Sequence, residues 1–117
     1  MNNRILIVDD EEGIRESLKL ILENNYDLFF AKNGQECIDV LKSEEINLLL
    51  LDIKMPKISG FDILKEIKKI KPFIKVIIVT GYKSVETATE AAKLGAVDYI
   101  LKPFSSQEIL EKVKKFI

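Results

Sequence analysis

Five polar residues stand at the ends of apolar runs, where they could share one piece of chemistry. Asp9 and Asp10 follow "ILIV", Asp52 follows "LLLL", Thr80 follows "VIIV" and Lys102 follows "DYIL". Carboxylates gathered in one place repel: two like charges about 4 Å apart cost roughly 4 kcal/mol at an effective dielectric near ~20. A divalent cation removes that penalty. Oxygen donors with no imidazole or thiolate among them suit Mg²⁺, with Mn²⁺ or Ca²⁺ as alternatives, rather than zinc. Mg²⁺ takes few carboxylates and keeps waters that phosphate oxygens replace, so the set points to phosphoryl chemistry. A hydroxyl such as that of Thr80 can hydrogen-bond a phosphoryl oxygen, and the Lys102 ammonium can neutralise its charge. Taken singly, each acid is equally readable as the N-cap of the next helix, with Glu11 and Glu12 favouring its dipole. That reading leaves unexplained why polar groups recur at the ends of several runs.

Those residues meet only if the intervening chain brings the run ends together. Arg4–Val8, Asn47–Leu51, Lys75–Val79 and Val97–Leu101 are short and rich in Ile, Val and Leu, as strands buried on both faces are. A weaker run, Asp27–Ala31, predicts a strand nearer an edge. Between the runs lies helical spacing. Ile14, Leu18, Ile21 and Leu22 share one face of the first helix. Gly34–Ser43 presents Cys37, Ile38 and Leu41, and Ser59–Ile70 presents Ile63, Leu64, Ile67 and Ile70. Ser84–Leu94 is Ala-rich and ends at Gly95, a left-handed cap. Ser105–Ile117 opens with the Ser105/Glu108 spacing of a capping box and is read as burying Ile109, Leu110, Val113 and Phe116. Strand–helix alternation repeated five times predicts an α/β fold: a doubly wound, five-stranded parallel sheet with five helices and right-handed crossovers. In the flavodoxin-like order 2-1-3-4-5, strands one and three are neighbours. Asp9, Asp10 and Asp52 then converge at the switch point outside the carboxyl ends of the strands. No linker, repeat or low-complexity tract interrupts residues 1–117, read as one domain.

Composition narrows the partners. The 117 residues carry 18 Lys and Arg against 19 Asp and Glu, a net charge of −1, which provides no basic field for nucleic acid or anionic lipid. The single cysteine, Cys37, precludes an intrachain disulfide and reads as a small core residue. The absence of histidine removes imidazole metal sites, His-dependent triads and a His phospho-carrier. Apolar stretches such as "INLLLLDI" are too short to span a bilayer, and "MNNR" is no signal sequence. These features predict a soluble cytoplasmic domain. "KEIKKIKPFIK" reads as a solvated helix face, and Phe61 and Phe104 as packing residues.

The four pieces "ILIVDDE", "LLLLDIKMP", "VIIVTG" and "DYILKPF", in this order and spacing, resemble the receiver (CheY-like) domain of two-component response regulators. With their helices they cover essentially the whole chain. The resemblance implies that Asp52 accepts a phosphoryl group from a partner's phosphohistidine. It implies that Asp9 and Asp10 hold Mg²⁺ (Mn²⁺ as substitute) with Asp52 and the backbone carbonyl of Lys54. Thr80 and Lys102 match the family's Thr and Lys, and Tyr99 its switch aromatic, turning as Thr80 moves toward the phosphoryl group. Lys102–Pro103 matches a cis X–Pro bond, and Met55–Pro56 with Gly60 the loop after the acceptor. Gly81 keeps the site open. Lys54 and Tyr82 occupy positions that tune hydrolysis of the acyl phosphate; both are bulky, which implies slow autodephosphorylation.

Partners implied are a histidine kinase or histidine phosphotransfer protein as donor, met by the first helix (Gly13, Ile14, Glu16, Ser17) and the loops around the acids. Output runs to a downstream protein target, a fused output domain or a phosphorylation-dependent dimer, through the fourth helix, fifth strand and fifth helix. Neither nucleic acid nor membrane is contacted directly. The sequence is similar to single-domain sporulation-type relay receivers and to nitrogen-regulator-type receivers. The free-standing form is slightly favoured because the fifth helix completes the fold. Two other classes compete. A haloacid-dehalogenase-type phosphatase uses an Asp nucleophile and Mg²⁺, but its D-x-D signature does not account for the separate Asp52. A flavodoxin-like carrier wants a Gly- and hydroxyl-rich phosphate loop after the first strand, where this chain has acids.

Overall fold

The computed structural model describes residues 3–55 and 59–117. Five parallel strands, β1 (Arg4–Val8), β2 (Asp27–Ala31), β3 (Leu48–Leu51), β4 (Lys75–Thr80) and β5 (Asp98–Leu101), lie in the order β2-β1-β3-β4-β5. Helices α1 (Glu12–Leu22), α2 (Gly34–Ser43), α3 (Gly60–Ile70), α4 (Val85–Lys93) and α5 (Ser106–Phe116) alternate with them. The expected doubly wound architecture is the one observed.

The inner strands are continuous apolar runs because both faces are covered. Leu6, Val8, Leu49, Leu51, Val76 and Ile78 face α2, α3 and α4, in a core with Cys37, Leu41, Leu64 and Ile67. Ile5, Ile7, Leu48, Leu50, Ile77 and Val79 face α1 and α5, with Leu18, Leu22, Ile109 and Val113. Alternate residues of each strand thus serve alternate cores, as a pleat requires. Burying each such side chain contributes about 1.5–3 kcal/mol. Burial pushes the Cys37 thiol up to about 12, leaving it an inert core group.

Element ends have local causes. Ser59, Ser84 and Ser105 adopt extended backbone and accept hydrogen bonds from the N–H groups of Phe61, Thr87 and Glu108, so each is an N-cap just outside its helix. Asn33 caps α2 likewise. At Asn47 the side chain accepts the Arg4 N–H at 2.9 Å, and β3 starts one residue later than the apolar run suggests. Gly95 has φ +100°, the left-handed conformation expected after α4. Two readings need correction. Leu110 is 39% exposed, because α5 inserts only Ile109 and Val113 fully. The lysine-rich face of α3 is not solvated throughout: Lys68 donates to the Ile74 carbonyl at 2.6 Å, and burial holds its ammonium below the usual lysine range.

Candidate functional site

Adjacent strands place the acids side by side. The β1/β3 register pairs Val8 with Leu51, so Asp9 and Asp52 follow as neighbours at the carboxyl edge. Asp52 N–H donates to the Val8 carbonyl at 3.0 Å and Asp9 N–H to that of Ala31 at 3.1 Å. Both side chains are buried, each residue 2% exposed, whereas Asp10 and Glu11 are exposed. Carboxylate oxygens of Asp9, Asp10, Glu11 and Asp52 all lie within 4.8 Å of one another. Glu11 is thus a fourth acid of the group. Its place before a helix suggests only a favourable dipole contact, yet at the N-cap position of α1 its side chain makes no capping bond.

One oxygen of each buried acid is fixed by backbone: Asp9 Oδ1 accepts from Glu11 N–H and Asp52 Oδ1 from Lys54 N–H, both at 2.9 Å. The other oxygens share a lysine. Lys102 Nζ lies 2.8 Å from Asp9 Oδ2, 3.0 Å from Asp52 Oδ2 and 3.5 Å from Glu11 Oε1. Its main chain is anchored too, the N–H donating to the Thr80 carbonyl at 2.8 Å. The Lys102–Pro103 peptide is cis.

This sharing explains two shifts. Burial pushes the Asp9 carboxyl above its ordinary range, further helped by the charge of Asp52, and the bonds from Lys102 and Glu11 N–H only partly oppose it. Burial alone would lower Lys102, but its bonds to Asp9 and Asp52 outweigh that and raise it. The ammonium gains two buried partners while each carboxylate gains part of one lysine, so the lysine is held charged and Asp9 is left under-compensated.

Thr80 is fully buried at the end of β4, and among the described residues its Oγ1 has no hydrogen-bond partner. Tyr99 on β5 is half-buried; its hydroxyl donates to the Tyr82 carbonyl at 2.8 Å. Burial, then the charge of Asp52, raises the phenol above its usual range. Lys54, exposed, places Nζ 5.6 Å from the centre of the Tyr82 ring. Gly60 donates its N–H to the Ile53 carbonyl, and a Cβ there would fall 2.6 Å from that of Ile53. Close approach of α3 to the residue after Asp52 therefore requires glycine. Pro56 lies outside the described residues.

The donor set fits Mg²⁺. Every candidate ligand is an oxygen, and four carboxylates against one ammonium leave a formal charge of −3 (−4 + 1). The buried Asp9 oxygens are already oriented by backbone and lysine rather than free to collapse.

A five-stranded parallel sheet with acids, a hydroxyl and a lysine at its carboxyl edge defines a class of phosphoryl-handling switch. Residues 5–114 match the response regulator receiver domain family, and the chain belongs to it, a receiver of two-component signalling. It is 42% identical over 118 residues to sporulation initiation phosphotransferase F of Bacillus subtilis, covering 100% of this chain and 95% of that protein. It is 36% identical to the transcriptional regulatory protein ZraR of Escherichia coli, with 97% of this chain covered but only 26% of that longer protein. Among solved structures, the response regulator TrrA of Thermotoga maritima, in complex with Mg²⁺ and BeF, superposes with a TM-score of 0.87 at 40% identity, covering 98% of this chain and 99% of that one.

Proposed function

We propose that Asp52 is the phospho-acceptor and that residues 1–117 act as one receiver domain. A carboxylate oxygen of Asp52 attacks the phosphorus of a partner's phosphohistidine. The new O–P bond forms as the P–N bond breaks, and the electron pair leaves on the imidazole. The product is an acyl phosphate. One observation carries this reading: the Lys102 ammonium sits 3.0 Å from Asp52 Oδ2, where the charge of an incoming phosphoryl group needs a counter-ion. Thr80 supplies a second donor, a buried hydroxyl without a partner.

Asp9, Asp10, Asp52 and the Lys54 carbonyl would hold Mg²⁺, with Mn²⁺ as a substitute. Bound there, the ion would screen the carboxylates and the transferring oxygens from one another. The Mg²⁺ of the related TrrA complex supports the same ion here. Glu11 and Asp10, exposed, line the approach to the buried pair.

The donor is a histidine kinase or histidine phosphotransfer protein, meeting α1 and the loops around the acids. Thr80 and Tyr99 carry the change of state to the face formed by α4, β5 and α5, which binds a downstream target, a fused output domain or a second copy. The relatives include both a protein of nearly this length and a much longer regulator, so both kinds of output are consistent with the reading. The domain supports its own phosphorylation and loses the phosphoryl group slowly. Among the described residues no helix is long and apolar enough to cross a membrane, in keeping with work in the cytoplasm.

The test is phosphotransfer from a phosphorylated kinase with Mg²⁺, read by mass spectrometry. Wild type should gain a phosphoryl group on Asp52 and Asp52→Asn should gain none. Undiminished labelling of the Asn variant, or a label on another residue, overturns the assignment.

A further inference from the structure

Asp9 is held at every polar atom. Its N–H donates to Ala31, Oδ1 accepts from the Glu11 N–H and Oδ2 from Lys102. The fourth contact comes from α1: Arg15 Nη1 donates to the Asp9 carbonyl at 2.8 Å. Three of these contacts follow from the strand register, the turn and the lysine already described. The fourth depends on one side chain that neither the charge pattern nor the family motifs single out.

Arg15 is unusually placed for such a task. It sits near the N-terminal end of α1, where the helix dipole disfavours a cation. Glu11, Glu12 and Glu16 flank it in sequence. Among the described residues it nevertheless makes no ion pair and is half-buried against the β1–α1 turn. Its own N–H donates to the Glu11 carbonyl at 3.2 Å. Main chain and side chain of Arg15 thus grip both ends of the turn from residue 9 to residue 11, the turn that carries three of the four acids.

We infer that Arg15 is a positioning residue of the cation site: by gripping the Asp9 carbonyl it fixes the peptide on which the Asp9 carboxylate is aimed, and so sets the affinity for Mg²⁺. The inference rests on the reading of the acids as that ion's ligands. Arg15 touches neither ion nor phosphoryl group in this role. Loss of such outer contacts typically lowers metal affinity about 10–100-fold.

The experiment is calorimetric titration of Mg²⁺ into the whole chain, comparing wild type with Arg15→Gln and Arg15→Lys. Lysine keeps the charge and a donor but lacks the planar fork. Arg15→Gln should raise the dissociation constant about tenfold or more, and Arg15→Lys should fall between it and wild type. Phosphorylation of Arg15→Gln by a small phosphodonor should be most impaired at low Mg²⁺, the deficit narrowing as the ion is raised. A wild-type dissociation constant in whichever variant folds overturns the inference. Failure of both to fold makes Arg15 a stability residue and overturns it equally. Failure of wild type itself to bind Mg²⁺ is a different result, which removes the reading of the acids and the role of Arg15 with it.

Discussion

The Tyr99 hydroxyl donates to the Tyr82 carbonyl across 2.8 Å, joining the last strand of the sheet to the loop after β4. The other end of Tyr82 is engaged as well, its ring lying beneath the Lys54 ammonium. One residue therefore links the loop after Asp52, the loop after Thr80 and the strand of the proposed switch aromatic. The family resemblance pairs Lys54 with Tyr82 as the positions that tune hydrolysis, and the structure brings the two side chains together.

Replacing both by alanine, Lys54→Ala with Tyr82→Ala, is expected to shorten the lifetime of the phosphorylated form if, as the proposed function implies, the pair would shield the acyl phosphate from water. The lost cation–π contact contributes only about 0.5–1 kcal/mol at an exposed site, so thermal stability should change little. Timing phosphate release after removal of the donor checks this, and an unchanged half-life counts against it.

Thr80→Val should raise stability while impairing function. A buried hydroxyl without a partner costs about 1–3 kcal/mol, and valine has nearly the same shape without that group. Denaturant unfolding of the unphosphorylated variant should show a gain of about 1 kcal/mol or more, and the phosphotransfer rate should fall. A variant less stable than wild type would mean that the hydroxyl is satisfied in solution.

Asp9 should leave a signature in the pH dependence of the metal-free protein. Its carboxyl is raised in the folded chain, chiefly by burial, so the folded state binds more protons than the unfolded one. Stability conferred by the neutral form is lost as pH rises from the ordinary value of 3.8 through the raised folded value. Lys102 is raised as well, so its contribution is constant in this acid range and fades only in strong alkali, above 10.5. Asp9→Asn should therefore match wild type in acid and exceed it at neutral pH. Thermal melts with a chelator, from about pH 3 to about pH 7, measure the difference; a constant gap would exclude the effect.

Gly60→Ala should destabilise by about 1–3 kcal/mol, as overpacking of a tight contact does. The new methyl would stand 2.7 Å from the Ile53 carbonyl oxygen, and main chain has no rotamer with which to yield. Because Ile53 follows Asp52, phosphotransfer should decline with stability. A melting temperature equal to that of wild type would show that α3 can shift freely.

Much of the fold was legible because strands buried on both faces need unbroken apolar runs, and this chain supplies them. Each run ends where the sheet does, which is why Asp9, Asp52, Thr80 and Lys102 could be placed at one edge. Contacts that depend on side-chain reach were not legible. Glu11 looked like any acid at a helix start, and only the turn of the chain shows it beside Asp10. Arg15 follows a glycine and an isoleucine with nothing in its spacing to separate it from a solvated arginine. Lys68 belonged to a run of lysines that looked alike, yet its position on α3 directs it to the Ile74 carbonyl. Leu110 is not buried as its spacing suggests, because four apolar residues of α5 cannot all point at a face that admits two fully.

The sheet is also a partition. Ile78 pairs with Tyr99, and residues two apart along a strand share a side, so Thr80 and Tyr99 open onto the same compartment, the one shared with α2, α3 and α4. On the proposed reading, a displacement that starts at Thr80 would reach Tyr99 without crossing the wall of strands. The core of α1 lies on the other side of that wall, so on the proposed reading the helix that meets the donor would be separated by the sheet from the α4 side of the output face.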